Sequence, residues 1–268
     1  MCQYHLSISV VAYCTEKSMI TTTFKKLQRA VTDAGVVSSL IVVDHSPSSD
    51  FAIKNEDVSK SFIDDHDLIF AQSNPGFGAG HNRALQTDAK YHLILNPDLE
   101  VAPDALKNAF EFMEQHPECG LLSPYATWGD GQVQRLCKRY PTVFDLFLRG
   151  FMPKIIRDLF SKRLSRYEMS DALNDKDVYW DPPIVSGCFM LFRTEVLKQI
   201  GGFDPRFFLY FEDFDISLRA AKVSRIAYVP QVKVVHHGGH ASRKGWKHIK
   251  MFGRSMITFF YIHGWRWW

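Results

Sequence analysis

The chain has 268 residues, of which 46% are hydrophobic and 23% are charged, a composition that suits one large globular domain with a sizeable core. Its formal net charge of +3 is too small to predict a nucleic-acid partner, and its five cysteines form no CxxC pair, so a disulfide framework is not expected and a reducing cytoplasm fits best. The amino terminus has no signal-peptide pattern and no apolar run approaches the roughly 20 residues of a membrane span, so we expect a soluble or peripheral protein.

Short apolar runs in the first hundred residues predict buried strands. The four runs are 5–13 (HLSISVVAY), 39–44 (SLIVVD), 66–72 (HDLIFAQ) and 92–98 (HLILNPD). Residues 18–34 are polar and compatible with a helix, 74–85 form a glycine-rich turn that leads into a helix, and 103–116 predict an amphipathic helix. This alternation predicts an α/β fold with a Rossmann-like, mostly parallel sheet flanked by helices.

The second half of the chain has a less regular pattern. Residues 144–164 combine bulky apolar and basic residues at roughly helical spacing, and 184–193 resume strand character. Residues 197–220 predict a loop that opens into a helix, 225–237 predict a strand that ends in histidines, and the tail 247–268 is aromatic and basic. We therefore expect one domain over 1–240, with halves 1–120 and 121–240, followed by a helical segment over 241–268.

Polar residues lie where the predicted strands end, which is the edge at which parallel sheets collect ligands. Asp44 ends the second strand, and Asn96-Pro97-Asp98 ends the fourth. Carboxylate and amide oxygens suit a hard cation such as Mg²⁺ or Mn²⁺, which is usually shared with substrate phosphates. The alternative is a plain turn, because Asn, Pro and Asp are all turn formers.

The glycine-rich segment 74–82 predicts a second ligand contact. Gly76, Gly78 and Gly80 allow the backbone to approach a ligand closely, and the following helix N-terminus favours an anion. The segment is not GxGxxG and follows the third strand, so a dinucleotide fingerprint fits poorly. A flexible loop is the alternative.

Two further clusters suggest acid–base and metal chemistry. In YFEDFD, Glu212 and Asp213 stand between phenylalanines, and a partly apolar wall raises a carboxylate pKa as a general base requires. A helix N-terminus, where acids are favoured, is a compatible alternative. His236 and His237, with His240 near, end a strand; neutral imidazole is a common metal ligand, although a structural histidine is the alternative.

In combination, six segments resemble the inverting family-2 glycosyltransferases of the GT-A fold over nearly the whole chain. The segments are VVDHSPSSD (42–50), NPGFGAGHNRAL (74–85), LILNPDLEV (93–101), VSGCFMLFR (185–193), GGFDPRFFLYFEDFDISLR (201–219) and VVHHGG (234–239). The resemblance is greatest to the bacterial rhamnosyltransferase branch. It implies transfer of L-rhamnose from a dTDP-L-rhamnose donor to a GlcNAc-diphospho-undecaprenol acceptor in O-antigen lipopolysaccharide biosynthesis, with 1–120 binding the nucleotide sugar and 121–240 the acceptor.

The resemblance also implies roles for individual residues. Asp213 would be the catalytic base, and Asp98 with His236, or less favourably His237, would hold a divalent cation. Asn96 stands where the family often has the first Asp of Asp-x-Asp, and a neutral amide is a weaker ligand, so its role as metal ligand or donor contact is left open. The implied donor-binding residues are Ala12, Tyr13, Asp44, Asn74, Gly76, Gly80, Asn82, Asn96, Ser186, Gly187 and Glu212.

Two basic and aromatic segments suggest contact with a membrane surface. Residues 144–164 carry five basic residues among Phe, Leu and Ile, and the tail ends in GWRWW. Basic amphipathic helices with aromatic residues lie on anionic membranes, so we expect peripheral association with the cytoplasmic face of the inner membrane. The alternative is a helix packed on the domain with a solvated basic face.

Three other functions are compatible with parts of this pattern. A transferase with another dTDP- or UDP-sugar donor would use the same chemistry. A non-catalytic sugar-nucleotide-binding protein would have no need of a base at Asp213. A nucleotidyltransferase usually has a basic glycine-rich loop near the N-terminus, and SVVAYCTEKS (9–18) is a poor match.

Overall fold

A computed structural model of the protein describes residues 5–47, 52–71, 73–238 and 245–268. These residues form twelve strands and ten α-helices. The strands are β1 (His5–Ala12), β2 (Val37–Asp44), β3 (Asp65–Phe70), β4 (Tyr91–Leu95), β5 (Leu99–Val101), β6 (Cys119–Thr127), β7 (Val133–Gln134), β8 (Cys137–Lys138), β9 (Tyr179–Trp180), β10 (Ile184–Val185), β11 (Phe189–Arg193) and β12 (Arg225–His236).

The helices alternate with strands in the first half and cluster in the second. They are α1 (Lys17–Ala34), α2 (Asn55–Ser59), α3 (Phe77–Asn82), α4 (Ala105–Gln115), α5 (Val143–Phe151), α6 (Lys154–Leu159), α7 (Ser161–Tyr167), α8 (Thr194–Gln199), α9 (Glu212–Ala220) and α10 (Trp246–His263). Among the described residues, no helix is both long enough and apolar enough to cross a bilayer.

The main sheet is mixed, with the strand order β3-β2-β1-β4-β11-β6-β12-β5. Strands β1 to β4 are parallel to one another, as predicted for the first half. In the second half β11 runs antiparallel to both β4 and β6, and β12 is parallel to β6 but antiparallel to β5. The prediction of a mostly parallel sheet is therefore correct only for the first half, because an apolar run does not encode strand direction.

Strand β6 lies between β11 and β12 inside the sheet and was not predicted. Its sequence CGLLSPYAT contains Gly120 and Pro124, which ordinarily argue against a central strand. Pro124 is tolerated because the β6–β12 ladder changes register just after it, between Val229 and Lys233. A bulge of this kind removes the need for a ladder hydrogen bond from proline.

The packing of α1 keeps the first strands aligned. Its buried residues Ile20, Phe24, Leu27 and Val31 recur at intervals of three and four, so they form one face that joins the core. The parallel register then sets Ala12 directly beside Asp44 at the carboxyl ends of β1 and β2. The edge predicted to collect ligands is therefore continuous.

Helix α10 packs on the domain beside α9. Phe259 and Phe260 are buried in a cluster with Phe211, which directly precedes α9. Asp215 of α9 is buried and lies 2.9 Å from the Nε2 atom of His263, at the last turn of α10. The C-terminal helix thus contacts the element that carries Glu212 and Asp213.

Candidate active site

Asp44 is buried where β2 ends, and its carboxylate organises the chain that follows. Its Oδ1 atom accepts from the backbone N–H of Ser46 (2.9 Å) and its Oδ2 atom accepts from that of Ile53 (2.8 Å). A carboxylate has about four acceptor positions, so Asp44 keeps capacity for a ligand. Ala12 is buried beside it, whereas Tyr13 is exposed. The three predicted nucleoside-binding residues are therefore adjacent.

The glycine loop has a conformation that only glycine adopts readily. Asn74 accepts from the backbone N–H of Gly76 through its Oδ1 atom (2.9 Å). Gly76 has φ +105°, and a Cβ atom there would lie 2.2 Å from the carbonyl oxygen of Phe208. That same oxygen accepts from the N–H of Phe77 (3.0 Å). The loop is thereby held against the segment that precedes α9.

The rest of the loop is fixed on both sides. A Cβ atom on Gly80 would lie 2.7 Å from Val11 and 2.9 Å from His45, so the loop packs closely on β1 and β2. The Asn82 amide donates to the carbonyl of Phe203 and accepts from its N–H, each at 2.8 Å. Asn82 therefore fixes the end of α3 to the backbone at Phe203. Helix α3 has only six residues, so its dipole contributes little to anion binding.

Asp98 and His236 face each other although 138 residues separate them. The Nε2 atom of His236 lies 3.3 Å from Oδ1 of Asp98 and 3.4 Å from Nδ2 of Asn96. Its Nδ1 atom lies 3.1 Å from Oε1 of Gln134. His237 instead points to Glu100, 2.8 Å away. The geometry thus brings His236, and not His237, to Asp98.

These residues fit a divalent cation that is shared with a substrate. A Cβ atom on Gly238 would lie 1.8 Å from Oδ2 of Asp98, so glycine is required beside the carboxylate. Within the described part of the chain no group of three or more His, Cys, Asp or Glu converges on one point, and His240 lies outside that part. A carboxylate and an imidazole can nevertheless be the protein ligands of a divalent cation when substrate phosphates complete its coordination.

Glu212 and Asp213 begin α9, directly after two residues in the left-handed conformation. Tyr210 and Phe211 have φ values of 71° and 65°, which turns the chain sharply into the helix. Asp213 accepts from the N–H of Gly187 (3.2 Å) and from that of Phe214 (3.0 Å). These bonds fix the carboxylate against the segment between β10 and β11.

Burial separates the proton affinities of the two carboxyls. It raises the pKa of Asp213 to about 6, although the amides of Gly187 and Phe214 oppose the shift. Burial, assisted by the charge of Asp213, raises the pKa of Glu212 well above its usual range. The Oε2 atom of Glu212 has no hydrogen-bond partner among the described residues. The two carboxyls titrate as a coupled pair, in which Asp213 loses its proton more readily than Glu212.

The Asp98–His236 pair and the Glu212–Asp213 carboxyls are connected through the segment that contains Cys188. The backbone N–H of Asn96 donates to the carbonyl of Cys188 (2.9 Å), and Ser186 donates its N–H to the carbonyl of Leu136 (2.9 Å). Burial raises the pKa of the Cys188 thiol to about 12, and Asp98 and Asp213 both add to the shift. Cys188 therefore lies near both carboxylates, and Ser186 and Gly187 directly precede it in the chain.

Sequence reasoning missed several polar residues near the site. Lys138 and Tyr167 are buried near Asp213, yet neither lies in a periodic or motif-like segment. The Oγ atom of Ser9 lies 2.7 Å from Nδ1 of His81 and 2.9 Å from Nε2 of His92. Burial lowers the pKa of His92 to about 4, so it is a neutral core residue. Nothing in the local sequence signals a buried polar group of this kind.

The family model described as Glycosyl transferase family 2 matches residues 7–201, and the model described as Glycosyltransferase like family 2 matches 163–257. The chain is 27% identical over 222 residues to the N-acetylglucosaminyl-diphospho-decaprenol L-rhamnosyltransferase of Mycobacterium tuberculosis, covering 75% of this chain and 68% of that protein. It is 26% identical over 179 residues to the rhamnosyltransferase WbbL of Escherichia coli K12, covering 62% of this chain and 63% of the relative.

Solved structures share the fold at low sequence identity. GalNAc-T7 with UDP, GalNAc and Mn²⁺ matches with a TM-score of 0.63 and 14% identity, over 88% of this chain and 43% of that chain. TarS 1–349 of Staphylococcus aureus with UDP-GlcNAc matches with a TM-score of 0.56 and 18% identity, over 92% of this chain and 64% of that chain. These matches show a GT-A-like α/β fold.

The raised pKa of Asp213 predicts a pH-dependent effect on stability. The folded protein keeps this proton up to about pH 6, and the unfolded chain only to about pH 4, so stability is lost as the pH rises through that interval. The Asp213→Asn variant has no carboxyl group to ionise at this position, so it does not lose this stability as the pH rises. The variant should gain about 1–3 kcal/mol of unfolding free energy relative to wild type between pH 4.5 and pH 7.5.

Urea unfolding at both pH values measures this difference. The matched control is Asp181→Asn, which alters an exposed ion pair with Arg225 and should change little with pH. A difference between Asp213→Asn and wild type that is the same at both pH values would show that the buried charge of Asp213 carries no such cost.

Proposed function

The chain belongs to glycosyltransferase family 2, and on that premise we propose that it is an inverting transferase that moves L-rhamnose from dTDP-β-L-rhamnose to GlcNAc-diphospho-undecaprenol. The proposal is carried by one observation: the segment Gly187–Cys188 contacts the Asp213 carboxylate on one side and Asn96, beside the Asp98–His236 pair, on the other. The names of the two rhamnosyltransferase relatives support the choice of sugar and of a polyprenyl diphosphate acceptor.

The chemistry is a single displacement. Asp213 removes the proton of an acceptor hydroxyl as its oxygen attacks the anomeric carbon. The bond from that carbon to the diphosphate oxygen breaks on the opposite face, and the nucleoside diphosphate leaves. Glu212, whose pKa burial raises, contacts a sugar hydroxyl beside it. No covalent carboxylate intermediate is required, unlike the double displacement of retaining enzymes.

The donor would extend along the carboxyl edge of the sheet. Asp44 accepts from the pyrimidine base beside Ala12 and Tyr13, and the glycine loop borders the ribose and sugar. Asp98 and His236 would hold a Mg²⁺ or Mn²⁺ ion, with Asn96 at their side. When bound, such a cation neutralises the charge that develops on the leaving diphosphate.

A basic and apolar surface supports binding of the lipid-linked acceptor at a membrane. Residues 143–167 hold six basic and two acidic residues, and 245–268 hold four basic and no acidic residues. Together these segments carry a formal charge of +8, so the rest of the chain carries −5 against the total of +3. Such a separation favours one anionic contact face.

The two segments form one surface. The N–H groups of Val143 and Phe144 donate to the carbonyls of Arg266 (2.8 Å) and Trp267 (3.3 Å), and the rings of Phe144 and Trp268 lie 4.8 Å apart. The large apolar side chains exposed in these two segments include Phe147, Phe151, Ile155, Leu159, Phe160, Trp265, Trp267 and Trp268. We infer peripheral association with the cytoplasmic face of the inner membrane through this surface.

The transfer reaction tests the function directly. Purified protein with a GlcNAc-diphospho-lipid acceptor and Mg²⁺ should form product with dTDP-L-rhamnose and not with UDP-glucose or UDP-galactose. Asp213→Asn should lower kcat by about 10²–10⁴-fold, because a positioned base contributes that much, while the affinity for the donor stays nearly normal. Wild-type kcat/KM should decrease as the pH falls below about 6.

Each other outcome of this assay is decisive. Product with a UDP-sugar alone would reject rhamnose but keep the transferase. An Asp213→Asn variant with near-normal rate would reject the base. Donor binding without transfer to any acceptor would favour a non-catalytic sugar-nucleotide-binding protein.

Asp98→Ala should abolish the metal dependence of donor binding. Calorimetry of dTDP binding with Mn²⁺ or with EDTA should show a large difference for wild type and none for the variant, because the carboxylate is the charged ligand of the pair. Asp104→Ala, an exposed acid that precedes α4, is the control and should behave as wild type. Metal-dependent binding that survives in Asp98→Ala would place the cation elsewhere.

Vesicle sedimentation tests the membrane surface. Binding to vesicles with phosphatidylglycerol should exceed binding to phosphatidylcholine vesicles and decrease with salt. Lys154 and Arg157 are both exposed on α6. Replacing both with Glu should weaken binding to the anionic vesicles at least about tenfold, because each charge contributes roughly 1 kcal/mol. The matched control replaces Lys107 and Lys222, which are exposed elsewhere on the protein, with Glu. Equal loss in both double variants would reject a localised surface.

A further inference from the structure

Lys138 is a buried cation that the proposed reaction does not yet use. The residue is 8% exposed, and its Nζ atom donates to the carbonyl of Arg135 (2.6 Å). No carboxylate of the described residues lies within 4.0 Å of this ammonium group. A buried ammonium without an ion-pair partner is unfavourable. Burial lowers its pKa to about 8, so the group is still largely charged at neutral pH.

The lysine lies on the side of the pocket where the base is held. In the β8–β10 ladder, Lys138 pairs with Ile184 and Cys137 pairs with Val185. The chain then continues through Ser186 to Gly187, whose N–H donates to Asp213. The charge of Lys138 is one of the influences that lower the pKa of Asp213. Lys138 is therefore near the carboxylate that would deprotonate the acceptor.

Tyr167 lies beside it with an unsatisfied hydroxyl. The N–H of Arg139 donates to the carbonyl of Tyr167 (2.9 Å), which holds the end of α7 next to β8. The side chain is buried, and its hydroxyl has no hydrogen-bond partner among the described residues. Burial raises the pKa of Tyr167, Arg149 lowers it and Asp213 raises it. Glu168 and Asp145 also raise the pKa, so the hydroxyl lies among several charged groups of the region.

Arg149 lies on α5, which belongs to the basic, apolar surface. It pairs with Glu168 at 3.4 Å and belongs to α5, where Phe147 and Phe151 are exposed. The region therefore holds a base, a buried ammonium, a buried hydroxyl and a guanidinium whose helix carries exposed apolar side chains. An acceptor made of a sugar, a diphosphate and a lipid presents groups that match each of these in chemistry.

Given the proposed function, we propose that Lys138 and Tyr167 form a second anion subsite, which binds the diphosphate of the lipid-linked acceptor while its sugar lies at Asp213. Phosphate oxygens accept well from a lysine ammonium, which acts on them as a point charge. This subsite is separate from the Asp98–His236 pair, which faces the leaving diphosphate of the donor. Two diphosphates would then be bound by two different sets of residues on either side of the reacting carbon.

Calorimetry with a soluble acceptor analogue tests the subsite without requiring transfer. The full chain is titrated with undecyl GlcNAc diphosphate and with undecyl GlcNAc glycoside, which lacks phosphate. Lys138→Met should bind the diphosphate about 10- to 100-fold more weakly than wild type, as expected for loss of a charged hydrogen bond. It should bind the glycoside as wild type does. Lys107→Met, which removes an exposed lysine of α4, is the matched control.

Tyr167→Phe keeps the test decisive if Lys138→Met does not fold. The variant removes only a hydroxyl that has no partner among the described residues, so its Tm should not decrease. Its affinity for the diphosphate should decrease about 3- to 10-fold, with the affinity for the glycoside unchanged. Wild-type affinity for the diphosphate in either folded variant would overturn the subsite, and so would equal weakening with both ligands.

Parallel transfer assays separate this proposal from the proposed function. If Lys138 only tunes Asp213, Lys138→Met binds the diphosphate normally and the acid limb of its kcat profile moves to higher pH. That result overturns the subsite but keeps the transferase. If wild type transfers no sugar but binds the diphosphate in a Lys138-dependent way, the reaction is rejected and the subsite stands.

Discussion

The burial of two adjacent carboxyls at the beginning of α9 is the constraint on which the site depends. A buried charge is unfavourable unless it is neutralised or hydrogen-bonded, so burial raises the pKa of Glu212, and Asp213 relies on the N–H groups of Gly187 and Phe214. Both residues follow a sharp left-handed turn whose Phe211 packs with Phe259 of α10. The C-terminal helix therefore helps to hold the base in place.

The mixed half of the sheet assembles the other side of the pocket. Because β12 pairs antiparallel with β5, His236 lies opposite Leu99 and thus next to Asp98. Because β11 runs antiparallel to both β4 and β6, and β12 is parallel to β6, strand β12 runs in the same direction as β4 and ends at the same edge of the sheet. Antiparallel β11 then joins the two parts, since Cys188 precedes it and accepts from the N–H of Asn96. Strand direction, which the sequence pattern does not encode, decides which distant residues meet.

Much of this arrangement is readable from local sequence, and the rest depends on distant packing. The first four strands, the glycine turn and α9 were predicted because apolar runs and turn residues report local structure. The inner strand β6 was not, since Pro124 is acceptable only where the ladder with β12 shifts register. Lys138 and Tyr167 were also missed, because their burial comes from elements far apart in the chain. Asn82 was expected to bind the donor, but its two hydrogen bonds to the backbone of Phe203 join residues that are distant in the chain and could not be predicted.

The stereochemistry of the product tests the central claim most directly. If Asp213 acts as a base in one displacement, the anomeric centre inverts, and dTDP-β-L-rhamnose yields an α-L-rhamnoside. The one-bond carbon–hydrogen coupling at the anomeric position, measured by NMR on the purified product, distinguishes the α from the β configuration. An α-linked product is the result that we predict. A β-linked product would mean net retention, and would contradict the assignment of Asp213 as the base of a single displacement.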